Sequence, residues 1–327
     1  MLKGALIGFG QVAENAHAPA WKKDKHAVIS AAVEAHPDRR AAALKIFPGI
    51  KTYATLDALL KSKTPVDFVD IATPPHLHAR QCLAALTAKK HVLCEKPLVL
   101  NCREFTELKT AAEKNDRTLF TIHNWKYAPL FQKLRSLLDE KVIGAVSHIE
   151  WHTLRNQPAP VAAGNANWRT NKNFSGGGIL IDHGWHAIYL LCWLTGKVPV
   201  GASGVLKFAG TDTEREATCL IDFGDAGAVA HLTWNASTRG HWGVLHGRNG
   251  SIQISDDRLD LSRGGKPPTS YAFDEPLSKG SAHPEWFASM LTEFHAAVKT
   301  PRQRKQNLAE AGQCIRLITE LYESHGR

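Results

Sequence analysis

The chain has 327 residues, 43% hydrophobic and 22% charged, a length beyond one ordinary core that predicts two domains. No run approaches the ~20 apolar residues of a membrane span, the apolar opening "MLKGALIGFG" leaves no room for a signal peptide, and six cysteines without CxxC spacing read as reduced thiols in a cytoplasmic protein. The net charge of +9 favours anionic ligands such as phosphates or nucleotides, but the basic residues are dispersed, without a basic helix or basic–aromatic stripe, so neither nucleic acid nor membrane is an expected partner.

Residues 1–123 alternate strand and helix. "LKGALIGFG" reads as a strand and "QVAENAHAPAWKK" as a helix; "AVISAAVE" and "DRRAAALKIF" repeat the pair. A short "KTYA" precedes helical "LDALLKS". Then come "VDFVDIA" with "HARQCLAALTA", "HVLCE" with "CREFTELKTAAEKN", and the strand "TLFTIHN". Continuous apolar strands separated by helices predict a parallel sheet covered on both faces, the doubly wound α/β layout of a Rossmann domain.

Beyond residue 123 the rhythm changes. Helical "PLFQKLRSLLDE" leads to strand-like "AVSHIEWHTL", then to a glycine run and the oily helix "AIYLLCWL". "CLIDF", "AVAHLTWNAS", "WGVLHG" and "SIQIS" alternate as antiparallel strands do, and helices near 284–299 and 307–324 close the chain. The predicted division is 1–123, a nucleotide-binding domain, and 124–327, an α+β domain for substrate binding and oligomerisation. Strands such as "AVAHLTWN" carry large residues on both faces, His231 against Trp234. A sheet with two substantial faces needs two coverings, so a homodimer or homotetramer is expected.

Three stretches carry chemistry. "GFGQVA" supplies Gly8, Gly10 and Ala13 in G-x-G-x-x-G/A spacing between a strand and a helix. Gly8 permits the tight turn, Gly10 lets backbone approach a pyrophosphate, and Ala13 lets helix pack on strand; the helix N-terminus turns free N–H groups to the phosphates. Phe9, Gln11 and Val12 belong to the same cofactor-binding turn. Glu34, 26 residues after Gly8, ends the second strand. Its carboxylate accepts hydrogen bonds from a ribose diol and repels a 2′-phosphate, which points to NAD; His36 and Arg39 nearby keep NADP open. "ATPPHLHA" brings Thr73, Pro74 and His78 to the carboxyl edge of the sheet, where ligands bind in such folds, and "CEKP" brings Glu95 and Lys96 to the same edge.

The third stretch, "IDHGWH", packs Asp182, His183 and His186 at the mouth of the oily helix, just after Gly176, Gly177 and Gly178. Burying a polar group without partners costs ~2–7 kcal/mol, so these side chains are either satisfied by neighbours or perform chemistry. Helical spacing puts Asp182 and His186 on one face and His183 on a neighbouring row. Gly184 costs ~1 kcal/mol against alanine in a helix interior, tolerable where something must approach the backbone closely.

"GFGQVA", "ATPPHLH", "CEKP", "HNWKYAP", "WRTNKNFSGGG" and "DHGWH", in this order, resemble the glucose–fructose oxidoreductase / inositol dehydrogenase / rhizopine-catabolism (Gfo/Idh/MocA) family, as does the closing "LAEAGQCIRLITELYES". The likeness covers nearly the whole chain. It implies an N-terminal Rossmann domain, a C-terminal α+β domain with a large, mostly antiparallel open sheet, and NAD(P)-dependent oxidation or reduction of a sugar, cyclitol or related polyol. It also implies that Lys96, Asp182 and His186 form the catalytic set and that Trp168 and Arg169 lie close to the nicotinamide and substrate; Asn124 is expected among the cofactor contacts and His183 among those to substrate. Pro75 stands where many members have asparagine, Lys126 and Tyr127 replace the usual arginine and phenylalanine, and His183 is not a general feature of the family.

The resulting expectation is a cleft in which His186 takes the hydroxyl proton, Lys96 stabilises alkoxide character on the same oxygen, and Asp182 orients substrate. Two alternatives on the same fold remain open, a redox-assisted glycosidase that retains NAD and a non-catalytic nucleotide-sensing regulator. A metal hydrolase built on Asp182, His183 and His186 would leave the Rossmann features unexplained, so no metal is expected.

Overall fold

A computed structural model describes residues 1–161, 167–280 and 282–325. The chain divides into two compact units. One contains Met1–Asn124 and Ala282–Gly312; the other contains Trp125–Pro160, Asn167–Ser281 and Gln313–Arg327. Helix Pro284–Lys299 packs within the first unit, far along the chain from the contiguous 1–123 expected for the nucleotide-binding domain. Its Phe294 joins Trp21 and Phe68 in an aromatic cluster, and its His295 Nε2 lies 2.9 Å from Asp24 Oδ2. A helix reading from periodicity alone has no means of assigning that face to a sheet almost 200 residues upstream.

The first unit holds strands β1 (Leu2–Ile7), β2 (Ala27–Val33), β3 (Lys51–Tyr53), β4 (Phe68–Ile71), β5 (His91–Cys94) and β6 (Leu119–Thr121), all parallel, in the order β3-β2-β1-β4-β5-β6. β4 and β6 are buried throughout, as strands covered on both faces must be. The order reverses between β1 and β4, and the carboxyl ends there form the crevice in which doubly wound sheets bind ligands.

The second unit holds β7 (Val146–Leu154), β8 (Gly201–Lys207), β9 (Glu216–Asp222), β10 (Gly227–Thr233), β11 (Gly240–Gly247), β12 (Gly250–Ser255), β13 (Arg258–Arg263) and β14 (Lys266–Ala272) in the order β14-β13-β12-β11-β7-β10-β9-β8. All neighbours are antiparallel except β7 and β10. β8, β13 and β14 escape a hydrophobic reading. β8 has glycine at 201 and 204, and β14 has Pro267 and Pro268, which an edge strand tolerates because no ladder needs their N–H. One sheet face is core, with Trp151 stacked on Phe131 at 5.7 Å. The other carries the cross-strand row Val205, Thr218, His231, His152 and Trp242.

Candidate active site

In the first unit, Gly8 follows β1 with φ +85°, a conformation that side chains resist, and a Cβ there would meet Thr73 Cγ2 at 2.8 Å. The close approach joins the glycine turn to the turn after β4. At Gly10 a Cβ would find only Arg39 Nη1, 3.7 Å away, so the backbone is open to an incoming group and a cation stands beside it. Ala13 is fully buried where helix meets strand. Gln11 is exposed and Val12 partly so at the start of that helix. Glu34 is buried, and its carboxylate is fixed by two backbone donors, Phe9 N–H at 2.8 Å and His36 N–H at 2.9 Å. Each oxygen keeps a second lone pair for a diol. An open glycine cradle, a helix start and an anchored acceptor at the end of β2 fit a dinucleotide.

The lysine turn is held from behind. The Lys96–Pro97 peptide is cis. Glu95 Oε2 accepts the Lys96 N–H at 3.1 Å. His78 is buried, and its ring nitrogens lie 2.7 Å from the Pro97 and Thr73 carbonyls. Carbonyls only accept, and burial holds this imidazole below its ordinary value, so near neutral pH it donates to one of the two at a time. His78 thereby ties the lysine turn to Thr73, whose hydroxyl donates to Gln81 at 2.6 Å. Pro74 is partly exposed beside Thr73, and Asn124 is partly exposed at the end of this unit's main segment.

The second unit gathers Trp168, Arg169, Asp182, His183 and His186. Asp182 and His183 lie in the π-helical turn Leu180–Gly184, which passes directly into helix Trp185–Thr195 carrying His186; single π-turns of this kind recur at functional sites. Asp182 Oδ2 is 3.7 Å from Arg169 Nε and 3.8 Å from His183 Nε2. The Arg169 guanidinium lies over the Trp168 ring at 4.2 Å. His186 is buried, stacked on Trp125 at 4.9 Å, with Nδ1 2.9 Å from the Tyr189 hydroxyl. That hydroxyl also accepts the Trp125 N–H at 3.2 Å. Nδ1 is thus engaged with Tyr189. Behind Trp125 lies His241, pushed down to about 3 by burial and then by the charge of Arg155, so it adds no charge to this layer.

The glycine run owes its composition to Glu214. The Glu214 carboxylate accepts the N–H groups of Gly178 and Leu180 at 2.9 and 2.8 Å, and its backbone carbonyl accepts that of Ile179 at 3.0 Å. These are the orphan donors at the start of the helical segment bearing Asp182 and His186. A Cβ on Gly178 would fall on the Glu214 carbonyl oxygen, and one on Gly177 would fall on the Tyr322 hydroxyl. Gly184 likewise lets the turn approach Leu232 of β10, where a Cβ would sit at 3.3 Å. Among the described residues no group of three or more His, Cys, Asp or Glu side chains is arranged to hold a metal ion, and no helix is long and apolar enough to cross a membrane.

Two family models match this chain. Residues 2–123 match the oxidoreductase family with an NAD-binding Rossmann fold, and residues 131–253 match the GFO/IDH/MocA C-terminal domain. The chain belongs to the Gfo/Idh/MocA family. Its first unit is the NAD-binding Rossmann domain and its second carries the family's C-terminal domain. Among curated Gfo/Idh/MocA relatives it is 32% identical to a putative UDP-kanosamine synthase oxidoreductase subunit of Amycolatopsis mediterranei, over 99% of this chain and 96% of the relative. It is also 32% identical to Oxidoreductase P35 of Formosa agariphila over 59% of this chain, spanning only 60% of that relative's length. The fold matches levoglucosan dehydrogenase in complex with NADH and levoglucosan at a TM-score of 0.84 and 22% identity, covering 99% and 96% of the two chains.

Sequence reasoning did not reach Tyr189, Glu214, His17 or Asp70. Tyr189 lies three residues after His186 on the same helix, so helical spacing could have paired them. Glu214 sits in the polar stretch "TDTERE", where nothing local marks one acid as a cap.

Proposed function

We propose that this protein catalyses NAD-linked hydride transfer between the nicotinamide and a CH–OH or carbonyl carbon of a sugar, cyclitol or sugar derivative. The observation that carries the reading is the setting of His186, an imidazole fixed at Nδ1 by Tyr189 and on its face by Trp125, next to an Asp182 flanked by Arg169 and His183. The names of relatives, levoglucosan dehydrogenase and D-glucoside 3-dehydrogenase among them, support the substrate class. Bound NAD supplies the hydride acceptor, or the donor in its reduced form. In oxidation, His186 Nε2 takes the hydroxyl proton. Lys96 hydrogen-bonds the same oxygen and stabilises its developing negative charge. Asp182, with Arg169 and His183, orients the other hydroxyls. In reduction, His186 returns the proton.

Buried, unbridged thiols at Cys82, Cys94, Cys192, Cys219 and Cys314 favour a reducing, cytoplasmic setting. The test is a panel of levoglucosan, D-glucose, myo-inositol and UDP-glucose, each with NAD and NADP, read at the nicotinamide absorbance. Net conversion of free NAD with an alcohol substrate is expected, and it separates a dehydrogenase from a glycosidase that retains its cofactor and from a regulator. Glu34→Ala should weaken NAD binding and narrow the preference for NAD over NADP. Absence of turnover across the panel in both directions, with NAD bound, would favour the regulator.

A further inference from the structure

A buried polar cluster of the first unit ends on the residue before Lys96. His17, the last residue of the π-helical turn Ala13–His17, is completely buried. Its Nδ1 lies 3.0 Å from Asp70 Oδ2 on β4, and its Nε2 lies 3.0 Å from Glu95 Oε1 just after β5. Trp21 Nε1–H donates to the same Asp70 oxygen at 2.7 Å, and Phe287 stacks on the imidazole at 4.1 Å. The remaining Glu95 oxygen accepts the Lys96 N–H.

Ionised carboxylates only accept hydrogen bonds. A ring with one at each nitrogen makes both bonds only as the imidazolium, the one form with two N–H donors. Burial by itself would pull this imidazole down. The charge of Asp70, followed by hydrogen bonds to Asp70 and Glu95, outweighs burial and holds it at about 9. Burial would push the Glu95 carboxyl up, but the His17 hydrogen bond and charge, and then Lys96, hold it below its usual value.

Stability alone is a poor reason for this cluster, because apolar residues of similar volume often serve a core as well as a buried ion network does. Its placement supplies a better one. It bridges the carboxyl ends of two central strands and terminates on the residue preceding Lys96. We propose that His17 is a positioning residue of the reaction: anchored on Asp70, its imidazolium holds one oxygen of Glu95 while the other takes the Lys96 amide, so that the lysine backbone has one arrangement. The inference rests on Lys96 acting on substrate.

The test compares His17→Gln, Lys96→Met and the double variant, using the panel substrate that turns over fastest. A misplacement of about 1 Å costs on the order of a hundredfold in rate. His17→Gln should therefore lower kcat about ten- to a hundredfold, with KM for the sugar and Kd for NAD changed less than threefold. Added to Lys96→Met it should cost nothing further, because His17 acts through the lysine. Should His17→Gln fail to fold, Glu95→Gln, which leaves one acceptor where His17 and the Lys96 N–H now each have their own, is expected to reproduce the kcat loss. Wild-type kcat in the folded variant, or losses that multiply in the double variant, would overturn the proposal. Full activity in Lys96→Met alone would instead sink the reading of the lysine on which it rests.

Discussion

His186 and Tyr189 make a pair whose variants should separate chemistry from positioning. His186→Ala removes the proton acceptor and should lower kcat by ~10²–10⁴-fold, with NAD affinity and melting temperature little changed. Tyr189→Phe keeps the ring but removes the hydroxyl at Nδ1, so kcat should fall less, about tenfold, with a displaced pH–rate profile. If His186→Ala turns over normally across pH, the proton acceptor must be sought at Lys96. The acids, bases and glycines themselves were legible because short motifs carry them. Their supports were not. His17, Asp70 and Glu95 are 53 and 78 residues apart along the pairs His17–Asp70 and His17–Glu95, and only the order of the strands makes them neighbours.

Glu214 and the glycine run set the start of the helical segment bearing Asp182 and His186. Three consecutive backbone donors, at Gly178, Ile179 and Leu180, end on this one residue. Burial raises the Glu214 carboxyl above its ordinary value, and the Gly178 and Leu180 bonds oppose that only in part. Gly178→Ala would drive a Cβ into the Glu214 carbonyl, and overpacking of this kind costs ~1–3 kcal/mol. The variant should melt lower and lose kcat together, as the turn bearing Asp182 shifts. Wild-type melting and kcat would show that the turn relaxes without consequence. The alternating rhythm of residues 1–123 announced five of the six strands of the first sheet, because parallel strands covered on both faces are apolar runs, whereas the polar "KTYA" reads only as a short segment before a helix and is the edge strand β3. β8 and β14 stayed hidden because edge strands need neither an apolar face nor every N–H.

For the molecule as a whole, a homodimer or homotetramer is a prediction that the open face of the second sheet lets one test. The open face of the eight-stranded sheet exposes Val205 by 59%, Leu220 by 53% and Trp242 by 37%. Light scattering at micromolar concentration should give at least a dimer, and Val205→Lys with Leu220→Lys should give a monomer that keeps its NAD affinity. A wild-type monomer would leave this face without a purpose. The packing of Pro284–Lys299 with the first unit also bears on how the protein is made. Synthesis delivers the six strands of the nucleotide-binding unit and then the entire second sheet before Phe287, which stacks on His17, and Phe294, which closes the cluster around Trp21. A ribosome-held chain ending before residue 284 should expose that cluster to protease, and one extended past residue 299 should protect it. A sheet whose six strands all precede the second unit is thus completed only after that unit's own sheet has been made.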